Sequence, residues 1–255
     1  MSNLSVYWQP GCTSCLKTKE FLAMHGVEFD SIDVAADPEA MQALAKLGVR
    51  SVPVVVRGTE FVFGQDLDAV ARFVGVVRQQ DDLLPVATLA GRLHELCLQC
   101  AHFARQLPPE SLATRLPGRD RSYLDLAYHV PMIVAGFLDA ANGGCLSEEH
   151  FNRKPPPRIR TGDDAAQVIE RLARGFDDWW RTNESQLPTH VDTYYGYQPF
   201  HSVLERTTWH VAQHARQLER VIELAGLKPV RPLDPKLLAG LPLPRDVWDA
   251  EVPLG

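Results

Sequence analysis

Cys12-Thr13-Ser14-Cys15 follows the turn residues Gln9-Pro10-Gly11 and opens a helical pattern. A thiol at a helix N-terminus meets free N–H groups and the positive end of the helix dipole, both of which favour the thiolate. Cys12 is therefore the candidate nucleophile. Cys15, one turn further on, is placed to resolve a mixed disulfide by attacking Cys12. Lys17 adds positive potential nearby. The same pair could be half of a structural metal site or two inert thiols; its place between a strand and a helix favours redox chemistry.

His210 and His214 form a second chemical group. Residues four apart share a helix face, and both fall on an apolar stripe, so they point inward. Two neighbouring imidazoles are unfavourable to bury unless they share an ion or a hydrogen-bond network. One divalent ion at Zn–N distances of about 2.0–2.1 Å satisfies both. A catalytic site needs a third protein ligand, and His129, two residues before Pro131, is the best candidate. The alternative is a set of hydrogen-bonded core histidines. Surface or structural roles are expected for His25, His94, His102, His150 and His190, while His201 opens a helix. Cys97 and Cys100 lie inside a helix, without the dipole benefit, and read as core packing. Cys145 falls in a loop. Trp179, Trp180, Tyr194, Tyr195 and Trp209 are expected in the core, with a pocket-lining role as the alternative.

The elements that hold these groups fall into two sets. Residues 4–8 read as a strand and residues 13–25 as a helix stopped by Gly26. Residues 27–34 alternate with period two, the mark of a strand. A helix follows from Asp37 to near Gly48, then strands at 52–56 and 60–63, then a helix from near Asp66 to Arg78. This β-α-β-α-β-β-α order is a complete small domain over residues 1–79. Gln79-Gln80-Asp81-Asp82 is a polar linker. Beyond it the pattern is helical. Leu89, Leu93, Leu96, Cys100, Phe103 and Leu107 form one apolar stripe, and Leu126, Val130, Ile133 and Phe137 a second. Thr161 and Asp164 resemble a capping box ahead of a third stripe, Val168, Leu172, Phe176 and Trp179. Val203, His210, His214, Leu218 and Val221 form the fourth, ended by Gly226. Four amphipathic helices over residues 83–226 fit a four-helix bundle. Residues 227–255 are rich in proline and expected to be extended, draped over the bundle.

The first domain resembles the glutaredoxin family of the thioredoxin fold, on Tyr7-Trp8-Gln9-Pro10-Gly11-Cys12-Thr13-Ser14-Cys15, Ser51-Val52-Pro53 and Gly64-Gln65-Asp66. The resemblance implies a redox pair at Cys12 and Cys15 and a cis proline at Pro53 that presents the Val52 backbone to an extended thiol substrate. Gln9, Val52, Pro53, Gln65 and Asp66 are then the thiol-binding residues, Gln65 and Asp66 lying in the loop that holds the carboxylate end of a thiol peptide. A low-molecular-weight thiol such as glutathione is the implied co-substrate. Thr13-Ser14 departs from the family's common Cys-Pro-Tyr-Cys.

The second domain resembles the DinB-like, or YfiT-like, superfamily of four-helix bundles, on Tyr128-His129 and His210-x-x-x-His214-x-x-Gln217. That resemblance implies a divalent metal, zinc or nickel, on His129, His210 and His214. Some members of the superfamily are thiol transferases or isomerases that use low-molecular-weight thiols.

Composition narrows the partners. The chain of 255 residues carries 26 basic against 32 acidic side chains, a net charge of −6. With no basic run, nucleic acid is not expected. No run of 18 or more apolar residues suggests a membrane span, and the first residues lack signal-peptide features, so a cytoplasmic location is expected. Five cysteines in no spaced framework agree with a reducing compartment. The expected function is a thiol–disulfide oxidoreductase coupled to a metal-dependent thiol transferase, in redox or detoxification chemistry on small thiols and disulfides. The alternatives are a redox or metal sensor without turnover, and a helical half that serves only as an interaction domain, giving a homodimer.

Overall fold

The structure, a computed structural model, describes residues 3–77 and 83–254. The linker residues 79–82 and Arg78 lie outside the described residues. The chain forms two compact units.

The first unit holds β1 (Leu4–Trp8), α1 (Thr13–Met24), β2 (Asp30–Asp33), α2 (Pro38–Lys46), β3 (Val54–Arg57), β4 (Glu60–Phe63) and α3 (Leu67–Val74). Its sheet runs β2-β1-β3-β4, with β2 parallel to β1 and the other two pairs antiparallel. β3 is valine-rich because both of its faces are covered. Val55 packs with Leu4, Val6, Phe21, Leu22, Val70 and Ala71, so α1 and α3 lie on one side. Val54 and Val56 pack with Leu44 and Val49, so α2 lies on the other. This is a small thioredoxin-like α/β unit.

Several boundaries differ from the sequence reading, the third strand spanning Val54–Arg57 rather than residues 52–56. The second strand spans Asp30–Asp33 rather than residues 27–34. Val27 instead returns its N–H to the Leu22 carbonyl at 3.0 Å, closing the end of α1, and Val27 and Phe29 pack against the core. α3 ends at Val74, not Arg78, because Gly75 takes a left-handed conformation (φ +78°) that terminates the helix.

The second unit is helix-rich. Its elements are α4 (Val86–Gln106), α5 (Tyr123–Ala141), β5 (Cys145–Leu146), α6 (Glu148–Asn152), α7 (Gly162–Asn183), β6 (His190–Thr193), β7 (Gly196–Pro199), α8 (Phe200–Leu224) and α9 (Pro235–Leu238). The long helices α4 and α5 each pack against both α7 and α8. β5, β6 and β7 make a small sheet, so Cys145, expected in a loop, lies in a short strand. α5 begins with a capping box between Ser122 and Asp125 and continues through Pro131. It is long and apolar enough to cross a membrane, but 67% of that window is buried inside the protein.

The buried face of α7 is Ala165, Ala166, Ile169, Ala173 and Phe176, whereas Val168, Leu172 and Trp179 are only half-buried. Small residues win this face because α7 approaches α4 closely. A Cβ on Gly162 would sit 1.9 Å from the Ala104 carbonyl oxygen.

Neither unit is contiguous in the chain. Residues 116–120 and 244–254 belong to the first unit. The proline-rich tail is thus divided: its earlier part, with α9, belongs to the helical unit, and its last residues belong to the first unit. Arg115 and Ser122 form an antiparallel bridge at the base of the 116–120 excursion.

Candidate functional site

The turn after β1 delivers Cys12 to the N-cap of α1 in an extended conformation. Its N–H bonds the Gln9 carbonyl at 3.3 Å. Its Sγ accepts the Cys15 N–H at 3.2 Å. A backbone donor aimed at sulfur stabilises negative charge there. Cys12 and Cys15 are joined as a disulfide. Cys12 is half-buried and Cys15 fully buried, an asymmetry that lets only the first sulfur meet a substrate.

The Val52–Pro53 peptide bond is cis. The Val52 carbonyl oxygen lies 4.0 Å from Cys12 Sγ and accepts Gln65 Nε2–H at 3.2 Å. Thr18 ties this loop to α1. Its hydroxyl lies 2.8 Å from each of two carbonyl oxygens, those of Ser14 and Gly64, while the Gly64 N–H bonds the Pro53 carbonyl at 2.9 Å. Of the residues expected from the sequence to bind thiol, Gln9 and Val52 meet Cys12 through backbone oxygens, and Gln65 and Pro53 belong to the loop tied to Val52 and Gly64. The Asp66 carboxylate accepts the Ala69 N–H at 2.9 Å and caps α3.

Residues that sequence reasoning passed over complete this site. Lys19 is buried on α1, with its ammonium 3.6 Å from the Trp8 ring centroid. It pairs with Asp249 at 2.8 Å and also with Glu251. Trp248 packs on the redox turn, since a Cβ on Gly11 would lie 2.7 Å from its ring. Glu20 accepts backbone N–H groups of Arg245 and Asp246 at 2.8 and 3.1 Å. Arg119 donates to the Pro10 carbonyl at 3.3 Å. Separations of 109 residues for Arg119–Pro10 and 225 or more for the contacts of Lys19 and Glu20 leave no local signal.

In the second unit, α5 contributes His129 and α8 contributes His210 and His214. All three are buried. Each offers a ring nitrogen, and these nitrogens lie within 4.8 Å of one another. Ring centroids are 5.7 Å apart for His129–His210, and 4.9 Å for His129–His214 and His210–His214. Gln217 Oε1 accepts from His214 Nδ1 at 2.8 Å, which places the lone pair on Nε2. Nitrogens around a shared tetrahedral zinc stand about 3.3 Å apart at the usual Zn–N distance, so small side-chain rotations bring this donor set into range. The residues fit a divalent ion.

Phe151 of α6 packs near this cluster with its ring tilted, 6.0 Å from the His129 ring and 5.8 Å from the His210 ring. Cys97 and Cys100 are buried free thiols, with Cys100 Sγ 3.9 Å from the Val211 carbonyl oxygen. Burial pushes the Cys97 thiol up to about 12, and burial with neighbouring Cys97 raises Cys100 as well.

A family model, glutaredoxin, matches residues 4–62. Over 57 residues the chain is 44% identical to the Gene 56 protein of Mycobacterium phage L5, covering 22% of this chain and 55% of that protein. It is 36% identical to the glutaredoxin-like protein NrdH of Escherichia coli (strain K12) over 55 residues, covering 22% of this chain and 68% of that protein. With the NrdH of Lactococcus lactis subsp. lactis (strain IL1403) the identity is 30% over 60 residues, covering 24% of this chain and 82% of that protein. The chain thus spans little more than half the length of the phage relative. No solved structure matches.

Proposed function

Because the chain belongs to the glutaredoxin family through its first unit, we propose that this unit cycles Cys12 and Cys15 between dithiol and disulfide on small disulfide substrates. The Cys12 thiolate attacks a substrate disulfide, forming a mixed disulfide and releasing one substrate thiolate. Cys15 then loses its proton and attacks Cys12 Sγ, closing the intramolecular disulfide and releasing the second thiolate. Two equivalents of a low-molecular-weight thiol such as glutathione return the pair to the dithiol. Val52 and Gln65 orient the substrate at the cis-proline loop. A cytoplasmic setting belongs to this reading, since a reducing compartment keeps the dithiol available. The observation that carries it is the half-exposed Cys12 at a helix N-cap over the buried Cys15.

For the second unit the proposal is a DinB-like four-helix bundle whose His129, His210 and His214 hold a divalent ion, zinc or nickel, for thiol-transfer chemistry. An ion held by these three imidazoles would favour the thiolate form of a coordinating thiol at neutral pH. Gln217 fixes the His214 ring, and the aromatic Phe151 limits water around the cluster. Covalent linkage to the redox unit raises the effective concentration at which adducts from one reaction meet the other.

The test is the metal content of protein purified without a histidine tag. About one divalent ion per chain is expected, lost in His210→Ala together with thiol transfer onto an electrophile. Disulfide reduction by the first unit should survive that substitution. Metal-free wild-type protein, or thiol transfer unchanged in His210→Ala, rejects the proposal for the helical unit.

A further inference from the structure

The strongest unassigned feature is a buried cation beside the histidine cluster. On α8, residues 206, 210 and 214 step by four and so share one face. Arg206, His210 and His214 are all buried. The Arg206 guanidinium lies 5.5 Å from the Phe151 ring and 5.3 Å from the Tyr195 ring. Its Nη2 is 3.5 Å from the Tyr194 hydroxyl. Phe151 also faces the rings of His129 and His210. One aromatic wall is thus shared by the guanidinium and by two of the three imidazoles. Arg121 holds that wall in place by donating to the Phe151 carbonyl at 3.3 Å.

We propose that Arg206 is the carboxylate-binding residue of the histidine site, and that the site's ligand is a small thiol carrying a carboxylate. This rests on the metal reading given above. Sulfur would be held at the imidazole cluster while the carboxylate reaches one helical turn away to Arg206. A guanidinium matches the planar carboxylate through paired N–H donors, which an ammonium does not. Desolvation by Phe151 and Tyr195 strengthens that charge-assisted contact. The aromatic faces also hold the guanidinium plane in one orientation, so the anchor is preorganised.

The experiment uses the full chain loaded with Co(II). It compares 4-mercaptobutyrate with the neutral 4-mercaptobutan-1-ol, read as the thiolate-to-cobalt absorption band. Wild-type protein should bind the carboxylate thiol at least about tenfold more tightly. In Arg206→Gln the two thiols should bind within about twofold of each other, with cobalt stoichiometry and affinity for the alcohol retained; Arg206→Lys should keep part of the preference. Helicity by circular dichroism checks that the variants fold, and the wild-type comparison stands without them. Failure to take up cobalt overturns the metal reading. Cobalt uptake with equal affinity for the two thiols overturns the anchor alone. A carboxylate preference that persists unchanged in Arg206→Gln arises from the metal itself and also overturns the anchor.

Discussion

At the scale of single residues, the redox pair divides its labour through exposure. Cys12 can be reached and Cys15 cannot. Cys12→Ser should lower disulfide reduction on the order of a thousandfold, because no attacking sulfur remains. Cys15→Ser should instead accumulate a mixed disulfide on Cys12, seen by mass spectrometry as an adduct of one glutathione after exposure to oxidised glutathione. A Cys15→Ser protein that forms no adduct would show that Cys12 is not the nucleophile. Cys97 and Cys100 behave in the opposite way. Burial raises Cys97 from 9.0 to about 12 and raises Cys100 with it, so the native state keeps these thiols protonated where the unfolded chain releases its protons. The Cys97 contribution is complete below pH 9 and is lost as pH rises toward 12, and Cys100 acts in the same direction. The expected slope from Cys97 is about 1.4 kcal/mol per pH unit. Urea melts between about pH 8 and 11 should show it, and Cys97→Ala should remove one proton's share. An identical pH profile in wild type and variant would contradict this.

At the scale of elements, the start of α7 joins two requirements. The Thr161 hydroxyl accepts the Asp164 N–H at 3.0 Å, and the Asp164 carboxylate accepts the Thr161 N–H at 2.9 Å. Thr161→Ala should cost about 1 kcal/mol. Gly162→Ala should cost more, roughly 2–3 kcal/mol, since its methyl meets the Ala104 carbonyl and α7 must move off α4. Chemical denaturation of the two variants checks the order. The cap was legible in the sequence because both partners lie within one turn. So were the helix bearing His210 and His214 and the strand–turn–helix around Cys12, which local periodicity and turn residues define. The orientation of α7 was not: bulky Val168, Leu172 and Trp179 suggested the inner face, but close approach to α4 selects alanines. Strand β2 was read too long because Val27 and Phe29 alternate correctly yet pack on the core from the loop ending α1.

At the scale of the whole molecule, chain order and folded unit do not coincide. Residues 244–254 complete the redox unit through Trp248, Asp249 and Glu251. Nothing local in the sequence announces this, because Lys19 finds its carboxylates only in the folded state. Asp249→Ala should destabilise the first unit by about 3 kcal/mol, since it leaves a buried ammonium with one fewer counter-charge. Trp248→Ala should cost a similar amount, roughly 3 kcal/mol, by leaving a cavity over the redox turn. Hydrogen exchange at α1 amides measures both, and protection unchanged from wild type would remove the tail from the unit's energetics.

The same connectivity has a consequence during translation. A ribosome that has finished β4 and α3 must still make about 170 residues before Trp248 emerges, roughly 10–30 s at ~5–20 residues per second. For that interval the nascent thiols stand beside an unshielded turn and an uncompensated Lys19, open to whatever oxidant or disulfide the surrounding solution carries.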